Sequence, residues 1–421
     1  MPPVPSAQSR RAFASPHAFP VPPSPYRLPR TSARSTLVSY HLTRKAPLRA
    51  VAALALVTAF AAGCTRGSEA GSAGTVTSSK AGCPAVLAKA KKAVKAAEDV
   101  NAPWNGPTTG PKAVPGKTLV YVAQSMTNPG VAGAAEGVKE AAKAIGWKVR
   151  IIDGQGTPAG IQAALGQAVA VKPAGIVLSG FDPKSTAQQV AQANTAGIPL
   201  IGWHAVDAPG PSTNPKLFSN VTTRVQDVAK ISADWVISQS NGRAGVVVFT
   251  DASIPFAKGK SDLIEKELAA CSDVKVLTTS NIPIADASNR TPQEVSALVS
   301  RYGTKWTNSI AINDLYFADA APSLRAAGKQ GNGAPFNIGA GDGDPSAFQR
   351  INSKQFQAAT VPEPLSEQGW QIVDEFNRAF AGKPASGYVA PVHITTADNS
   401  GGKSSWDPNG YREAYRKLWG K

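Results

Sequence analysis

The stretch from Thr118 to Asp153, TLVYVAQSMTNPGVAGAAEGVKEAAKAIGWKVRIID, sets the grammar of the chain. Its first six residues form an unbroken β-rich apolar run, as in a strand covered on both faces. A polar loop from Gln124 to Gly130 follows. Val131, Ala135, Val138, Ala142 and Ile145 then recur three or four apart, which places them on one stripe of a helix. Gly146 stops that helix, and Lys148 to Asp153 resumes as a strand.

The same alternation continues downstream. Strand 175–179, helix 183–196, strand 199–204 and a short strand at 217–220 complete one series. A second follows: helix 223–240, strand 245–250, helix 255–270, strand 274–279, helix 292–301, strand 309–312, helix 314–327, strand 336–341 and helix 344–351. Alternation of this kind places parallel strands in a sheet with helices on both faces. Two such series predict an α/β chain of two doubly wound parallel-sheet lobes joined by a hinge. Neither series contains a mononucleotide loop. Gly339-Ala340-Gly341-Asp342-Gly343 crowds its glycines and no Gly-Lys-Ser/Thr follows, so no nucleotide cofactor is expected, and none of another kind.

Upstream the composition changes. Residues 1–37 are rich in Pro, Ser and Arg without apolar period, and predict disorder or a start codon placed too early. Arg44, Lys45 and Arg49 precede the apolar run 50–60, the n- and h-regions of a secretion signal spanning 38–63. Eleven residues are too few for a membrane-spanning helix, which needs roughly 20. Ala61-Ala62-Gly63-Cys64 resembles the lipobox of bacterial lipoproteins, and that resemblance implies lipidation at Cys64 and an extracytoplasmic chain held to the cell membrane. Residues 64–116 predict a lipid-anchored tether with one short helix near 84–100.

The net charge of +16 is distributed unevenly. Residues 1–63 hold eight Lys/Arg and no acid, and residues 65–117 hold eight against three. The remaining 304 residues carry 28 basic and 25 acidic side chains, or +3. A groove able to neutralise several phosphates has little to draw on, so nucleic acid is not an expected partner. Four histidines, two of them before Gly63, offer no metal-ligand spacing, and no Gly-x-Ser-x-Gly elbow occurs, so no enzyme, no catalytic residue and no metal are expected. With Cys64 assigned to lipid, Cys83 and Cys271 are free to pair in an oxidising compartment, or to stand as one buried and one exposed thiol.

Four segments in order resemble the ribose-type periplasmic binding proteins, the type I solute receptors of ABC importers. They are Tyr121-Val122-Ala123-Gln124-Ser125-Met126-Thr127-Asn128-Pro129, Ala196-Gly197-Ile198-Pro199-Leu200-Ile201, Ala311-Ile312-Asn313-Asp314 and Ile338-Gly339-Ala340-Gly341-Asp342. The resemblance spans 117 to about 396. It implies a Venus-flytrap architecture, with an N-terminal lobe of 117–220 plus 364–381, a C-terminal lobe of 221–361 plus 382–396, and a tail over 397–421. It implies chain crossings near Asn220 and Val221, near Val361 to Pro364, and after Ala381. The partners it implies are a small polar solute, by base rate a sugar, and an ABC permease, the receptor itself being a monomer; a sensor for a membrane signalling partner is the alternative. A lactose-repressor-type regulator shares this core but would need a helix-turn-helix where the secretion signal stands.

Position by position, the resemblance implies a ligand set of Gln124, Ser125, Asn128, Asp182, His204, Lys258, Asn313, Asp342 and Glu363. Local roles compete with this: Asn128 suits the turn at Pro129, and Asp314 or Asp344 suits a helix N-cap. Sugar receptors place Asp-Arg where His204 and Ala205 stand, an arginine where Lys258 stands, and two aromatic rings where Gly130 and Val131 stand. Trp203, Phe181, Phe256 and Tyr316 are the rings available to compensate. Asp342 and Glu363 predict an acidic site, which fits an amine-bearing or nucleoside-like solute comparably well. The tail stripe of Tyr411, Tyr415 and Trp419 predicts a helix packed back on a lobe.

Overall fold

The computed structural model describes residues 82–101 and 103–421. The secretion signal, Cys64 and the tether residues up to 81 lie outside these residues. Among the described residues no helix is long and apolar enough to cross a membrane.

Helix α1 (Pro84–Ala97) comes first. The first lobe then follows with β1 (Thr118–Ala123), α2 (Pro129–Ala144), β2 (Lys148–Asp153), α3 (Pro158–Ala170), β3 (Gly175–Ser179), α4 (Ala187–Thr195), β4 (Leu200–Trp203), β5 (Gly210–Thr213) and β6 (Lys216–Val221). Its sheet runs β2-β1-β3-β4-β6-β5, parallel except for β5 against β6. Side chains alternate as a strand requires: Leu119, Tyr121 and Ala123 enter the core beneath α2, whereas Val120 and Val122 enter the opposite core beneath α3.

The second lobe holds α5 (Val225–Gln239), β7 (Ala244–Thr250), α6 (Pro255–Leu268), β8 (Val274–Asn281), α7 (Ala287–Tyr302), β9 (Asn308–Ala311), α8 (Leu315–Ala326), β10 (Phe336–Gly339), α9 (Pro345–Asn352) and β11 (Ala359–Thr360). The chain then supplies α10 (Leu365–Phe380) to the first lobe, β12 (Thr395–Thr396) to the second and α11 (Tyr411–Trp419) to the first. The second sheet runs β12-β11-β10-β9-β7-β8, with only β12 antiparallel to its neighbour. The lobes therefore exchange chain at 222–224, 361–364 and 381–394.

Two further segments also pass between the lobes. Helix α1 lies on α5, burying Leu87, Ala90 and Val94, and a Cys83–Cys271 disulfide with a Cα separation of 5.3 Å fixes its start to the second lobe. This settles the cysteine alternatives in favour of pairing. The chain then moves to the first lobe, where Asn377 donates to the carbonyl of Pro111 and accepts from the Val114 amide. The tail returns in the same sense, from β12 to α11, whose Trp419 stacks on Trp370 of α10 at 5.3 Å. Tyr411, Tyr415 and Trp419 are all buried, so the helical stripe does pack on a lobe. Helix α10 lies close on α2 because Gly369 meets Gly137, where a Cβ on Gly369 would overlap the α2 backbone.

Helix α3, strand β5 and the start of α7 depart from the sequence expectations. The stripe of α3, Ile161, Ala164, Leu165 and Ala168, was masked by other small apolar residues around the helix. Helix α7 begins at Ala287, not at Pro292, which sits inside it. A proline fits the first turns of a helix best, and its tolerated place further in reflects tertiary packing.

Candidate functional site

Parallel sheets gather functional side chains beyond the carboxyl ends of their strands. Both sheets turn those ends toward one another here. From the first lobe come Gln124, Ser125 and Asn128 after β1, Asp182 after β3 and His204 after β4. From the second come Asn313 after β9 and Asp342 after β10, with Glu363 on a crossing segment.

Asn313 and Asp342 form the centre of the second-lobe contribution. Asn313 Nδ2 donates to Asp342 Oδ2 at 2.6 Å, while Asn313 Oδ1 accepts from the Leu315 amide that opens α8. Across the cleft the same Nδ2 lies 3.4 Å from Asn128 Oδ1, which caps α2 by accepting from the Gly130 amide at 3.0 Å. Asn128 thus does both things, turn and cleft. Gly130 lets the α2 terminus approach the Asp342 carboxylate, where a Cβ would collide with it. Burial pushes the Asp342 carboxyl up to about 7, against the opposing pull of the Lys260 ammonium.

The hinge side is a second cluster. Thr223 Oγ1 donates to Glu363 Oε1 at 2.7 Å and Gln368 Nε2 donates to Oε2 at 2.6 Å, so the two crossing segments are tied to each other and to α10. Trp203 Nε1 donates to Gln368 Oε1 at 2.7 Å. His204, in the left-handed region at φ 50°, has Nδ1 at 2.8 Å from Thr222 Oγ1 and Nε2 at 3.7 Å from Glu363 Oε1. Burial pushes its imidazole down to about 4, more than Glu363 raises it.

Lys258 lies elsewhere. Its ammonium is exposed and pairs with Asp262 at 2.6 Å. The lysine that faces inward is Lys260, which is 3% exposed and donates to the carbonyls of Ala340 at 2.6 Å and Ile312 at 3.4 Å. Burial lowers its pKa, while Asp342 and Glu363 oppose that shift. The inward stripe of α6, Ala257, Lys260, Ser261, Ile264 and Leu268, carried the signal that distinguishes the two lysines. The sequence reading also missed Thr222, Thr223 and Gln368: Thr223 meets Glu363 across 140 positions and Gln368 meets Trp203 across 165, while Thr222 reaches His204 only through the pairing of β6 with β4, and no local pattern marks such partners.

Gln124 is buried with Oε1 unpartnered among the described residues, and Ser125 pairs with Thr127 at 2.7 Å. Asp182 accepts from the Lys184 amide at 2.9 Å and borders an interlobe cavity of about 270 Å³, together with His204 and Phe256. Of the four candidate rings, Trp203, Phe181 and Tyr316 belong to the cores, and Phe256 lines the cavity. Asp344 is the N-cap of α9, accepting from the amides of Ser346 and Ala347. Asp314 stands at the N-cap position of α8, but its buried side chain makes no cap hydrogen bond and instead accepts from the Gly343 amide, Gln357 and Thr360 at 2.7, 2.5 and 3.1 Å. A larger cavity, about 810 Å³, lies at the base of the second lobe between α1, α5 and the start of β10, away from this polar network. Among the described residues no group of three His, Cys, Asp or Glu side chains is placed to hold a metal.

Comparison with known proteins places this arrangement. The model of the periplasmic binding protein domain matches residues 119–384. An ABC sugar transporter subunit from Rhodobacter sphaeroides has a TM-score of 0.58 at 20% identity, over 67% of this chain and 98% of that one. An ABC transporter solute-binding protein from Agrobacterium vitis, bound with α-D-tagatopyranose, has 0.61 at 16% over 68% and 96%. A periplasmic solute-binding protein from Actinobacillus succinogenes with bound D-allose has 0.59 at 15% over 68% and 99%. At these identities the likeness is one of fold. No curated protein matches the chain.

Proposed function

This chain belongs to the periplasmic binding protein domain family, and on that footing we propose that it is an extracytoplasmic receptor that captures a small polar solute between its lobes. Its anchor is a lipid on Cys64, and it hands the solute to an ABC permease. The observation that carries the reading is the buried polar set drawn from both lobes, Asn128 against Asn313 and Asp342, beside His204 and Glu363. Excluding water from such a cleft strengthens each hydrogen bond made there. A cavity of about 270 Å³ suits a monosaccharide-sized ligand, and a sugar is the solute class the named relatives support. Ligand binding shifts the population toward closed lobes, the form that a permease distinguishes.

The ligand set is Gln124, Ser125, Asn128, Asp182, His204, Asn313, Asp342 and Glu363, with Lys260 in the inward place first expected of Lys258. A thermal-shift panel of sugars, polyols, nucleosides and amino acids tests the reading. A ligand at a hundredfold excess over its Kd stabilises by about 2.7 kcal/mol. Asp342→Ala should abolish that shift while leaving the unliganded protein folded. Unchanged affinity in the variant would remove Asp342 from the site, and silence across the panel on folded protein would remove the receptor reading. Cys64→Ser should release the protein from membranes, and retention there would remove the anchor.

A further inference from the structure

We propose that the cleft is built for a solute bearing a protonated amino group, an amino sugar, whose ammonium sits between His204 Nε2 and Glu363 Oε1. The inference rests on the receptor reading above and specifies its ligand. It begins with an unmet hydrogen-bonding need. His204 is 7% exposed and lines the interlobe cavity, yet its Nε2 has no partner among the described residues. Buried polar atoms are rarely left so.

The protonation state follows from the neighbours. Thr222 Oγ1 lies 3.1 Å from the Thr223 carbonyl, to which it donates its single proton. Its lone pair therefore accepts from His204 Nδ1–H at 2.8 Å, and Nε2 is left as a bare acceptor. Burial keeps the ring neutral, pushing it down to about 4. Glu363 Oε1 stands 3.7 Å away, too far for a hydrogen bond, and is itself an acceptor with room for a second donor beside Thr223.

Two acceptors facing one another are bridged by a group with more than one proton, a water or an ammonium, and of these only the ammonium carries charge. A ligand hydroxyl brings one. An ammonium brings three and also compensates the carboxylate charge. Phe256, 5.1 Å from the His204 ring, closes the same wall of the cavity, and its ring already carries the Lys260 ammonium at 5.3 Å from the centroid. Lys260 does not fill the seat, because its ammonium is held by two backbone carbonyls. The charged groups around the position are Glu363, Asp342, Asp182 and Asp207 against Lys260 and Lys184, an acidic balance.

The test is isothermal titration of the full-length chain with matched pairs at pH 7.5: glucosamine and glucose, galactosamine and galactose, mannosamine and mannose, with N-acetylglucosamine as the uncharged amine derivative. At least one amino sugar should bind ten-fold or more tighter than its neutral partner, and N-acetylation should remove the preference. In Glu363→Gln the ratio of the two affinities should fall toward one. His204→Gln provides a second variant if the first does not fold, and the wild-type comparison needs neither. Neutral sugars binding as tightly as their amino partners would overturn the ammonium seat while leaving the receptor reading intact. If neither member of any pair bound, the amino-sugar seat would be overturned, and the receptor reading would fall with it only if the wider thermal-shift panel were silent as well.

Discussion

Reducing the Cys83–Cys271 bridge should weaken the fold far more than its peripheral place suggests. The bridge joins residues 188 positions apart, and the enclosed chain comprises the whole sheet of the first lobe and the opening strand and helices of the second. In the chain-entropy account, cross-linking a loop of that length restricts the unfolded ensemble by about 5 kcal/mol at 25 °C. The folded side changes little on reduction, because Leu87, Ala90 and Val94 still hold α1 against α5, an apolar contact contributing roughly 3 to 5 kcal/mol. For a chain of this size the loss corresponds to a fall in Tm of roughly 7 °C. The assay is urea denaturation with and without reductant, followed by tryptophan fluorescence. The sequence holds three cysteines, so Cys64 has no further partner within the chain and reductant addresses this bridge alone. A loss under about 1 kcal/mol, with an unchanged denaturant slope, would refute the reasoning. Hydrogen exchange over 84–97 in the reduced protein tells whether α1 remains docked.

Three further outcomes are expected. Asp314→Asn turns one acceptor oxygen into a donor facing the Gly343 amide or Gln357, both of which already donate there, and should cost about 2 to 3 kcal/mol in urea denaturation; a neutral effect would show that the site reorganises freely. Trp419→Ala removes a ring stacked on Trp370 and the donor to Asp374 Oδ1 at 2.8 Å, with an expected loss of about 3 to 5 kcal/mol, whereas a change below 1 kcal/mol would mean that α11 is dispensable to its lobe. Burial pushes Asp314 and Asp342 up to about 7 and Glu367 up to about 8. The native chain therefore keeps protons that the unfolded chain has released, and these groups lower stability as pH rises through their native range. His204 and His393, pushed down to about 4, act in the opposite sense only below about 6.5. Between pH 6.5 and 8 the carboxyls act alone, so Tm should fall across that window, and less steeply in Asp314→Asn; a Tm that rose would contradict the assignment.

The positions of the site were more legible than its contacts. Asn128, Asn313 and Asp342 stand at strand ends that can be read off the alternation of β-rich runs and helical stripes, since parallel sheets fix which end of each strand faces the cleft. The resemblance implies Lys258, whereas the buried lysine is Lys260, two residues further on. A helix turns by 100° per residue, so that offset carries the side chain from the cleft to solvent.

What the sequence by itself determined is the local grammar: strands buried on both faces, helices one stripe deep, the lobe count, and a nearly neutral body behind a basic N-terminal segment. These follow from short-range periodicity and composition, which act within a few residues. Only the tertiary structure decided that Cys83 meets Cys271, that Thr223 and Gln368 both reach Glu363, that the Asp314 side chain turns inward from its N-cap position, and that the chain passes between lobes at both termini as well as at the hinge. Each of these joins residues far apart in the chain or depends on packing around them. Their encounter is set by how the sheets close and the helices pack, a property of the whole fold that no local pattern of residues encodes.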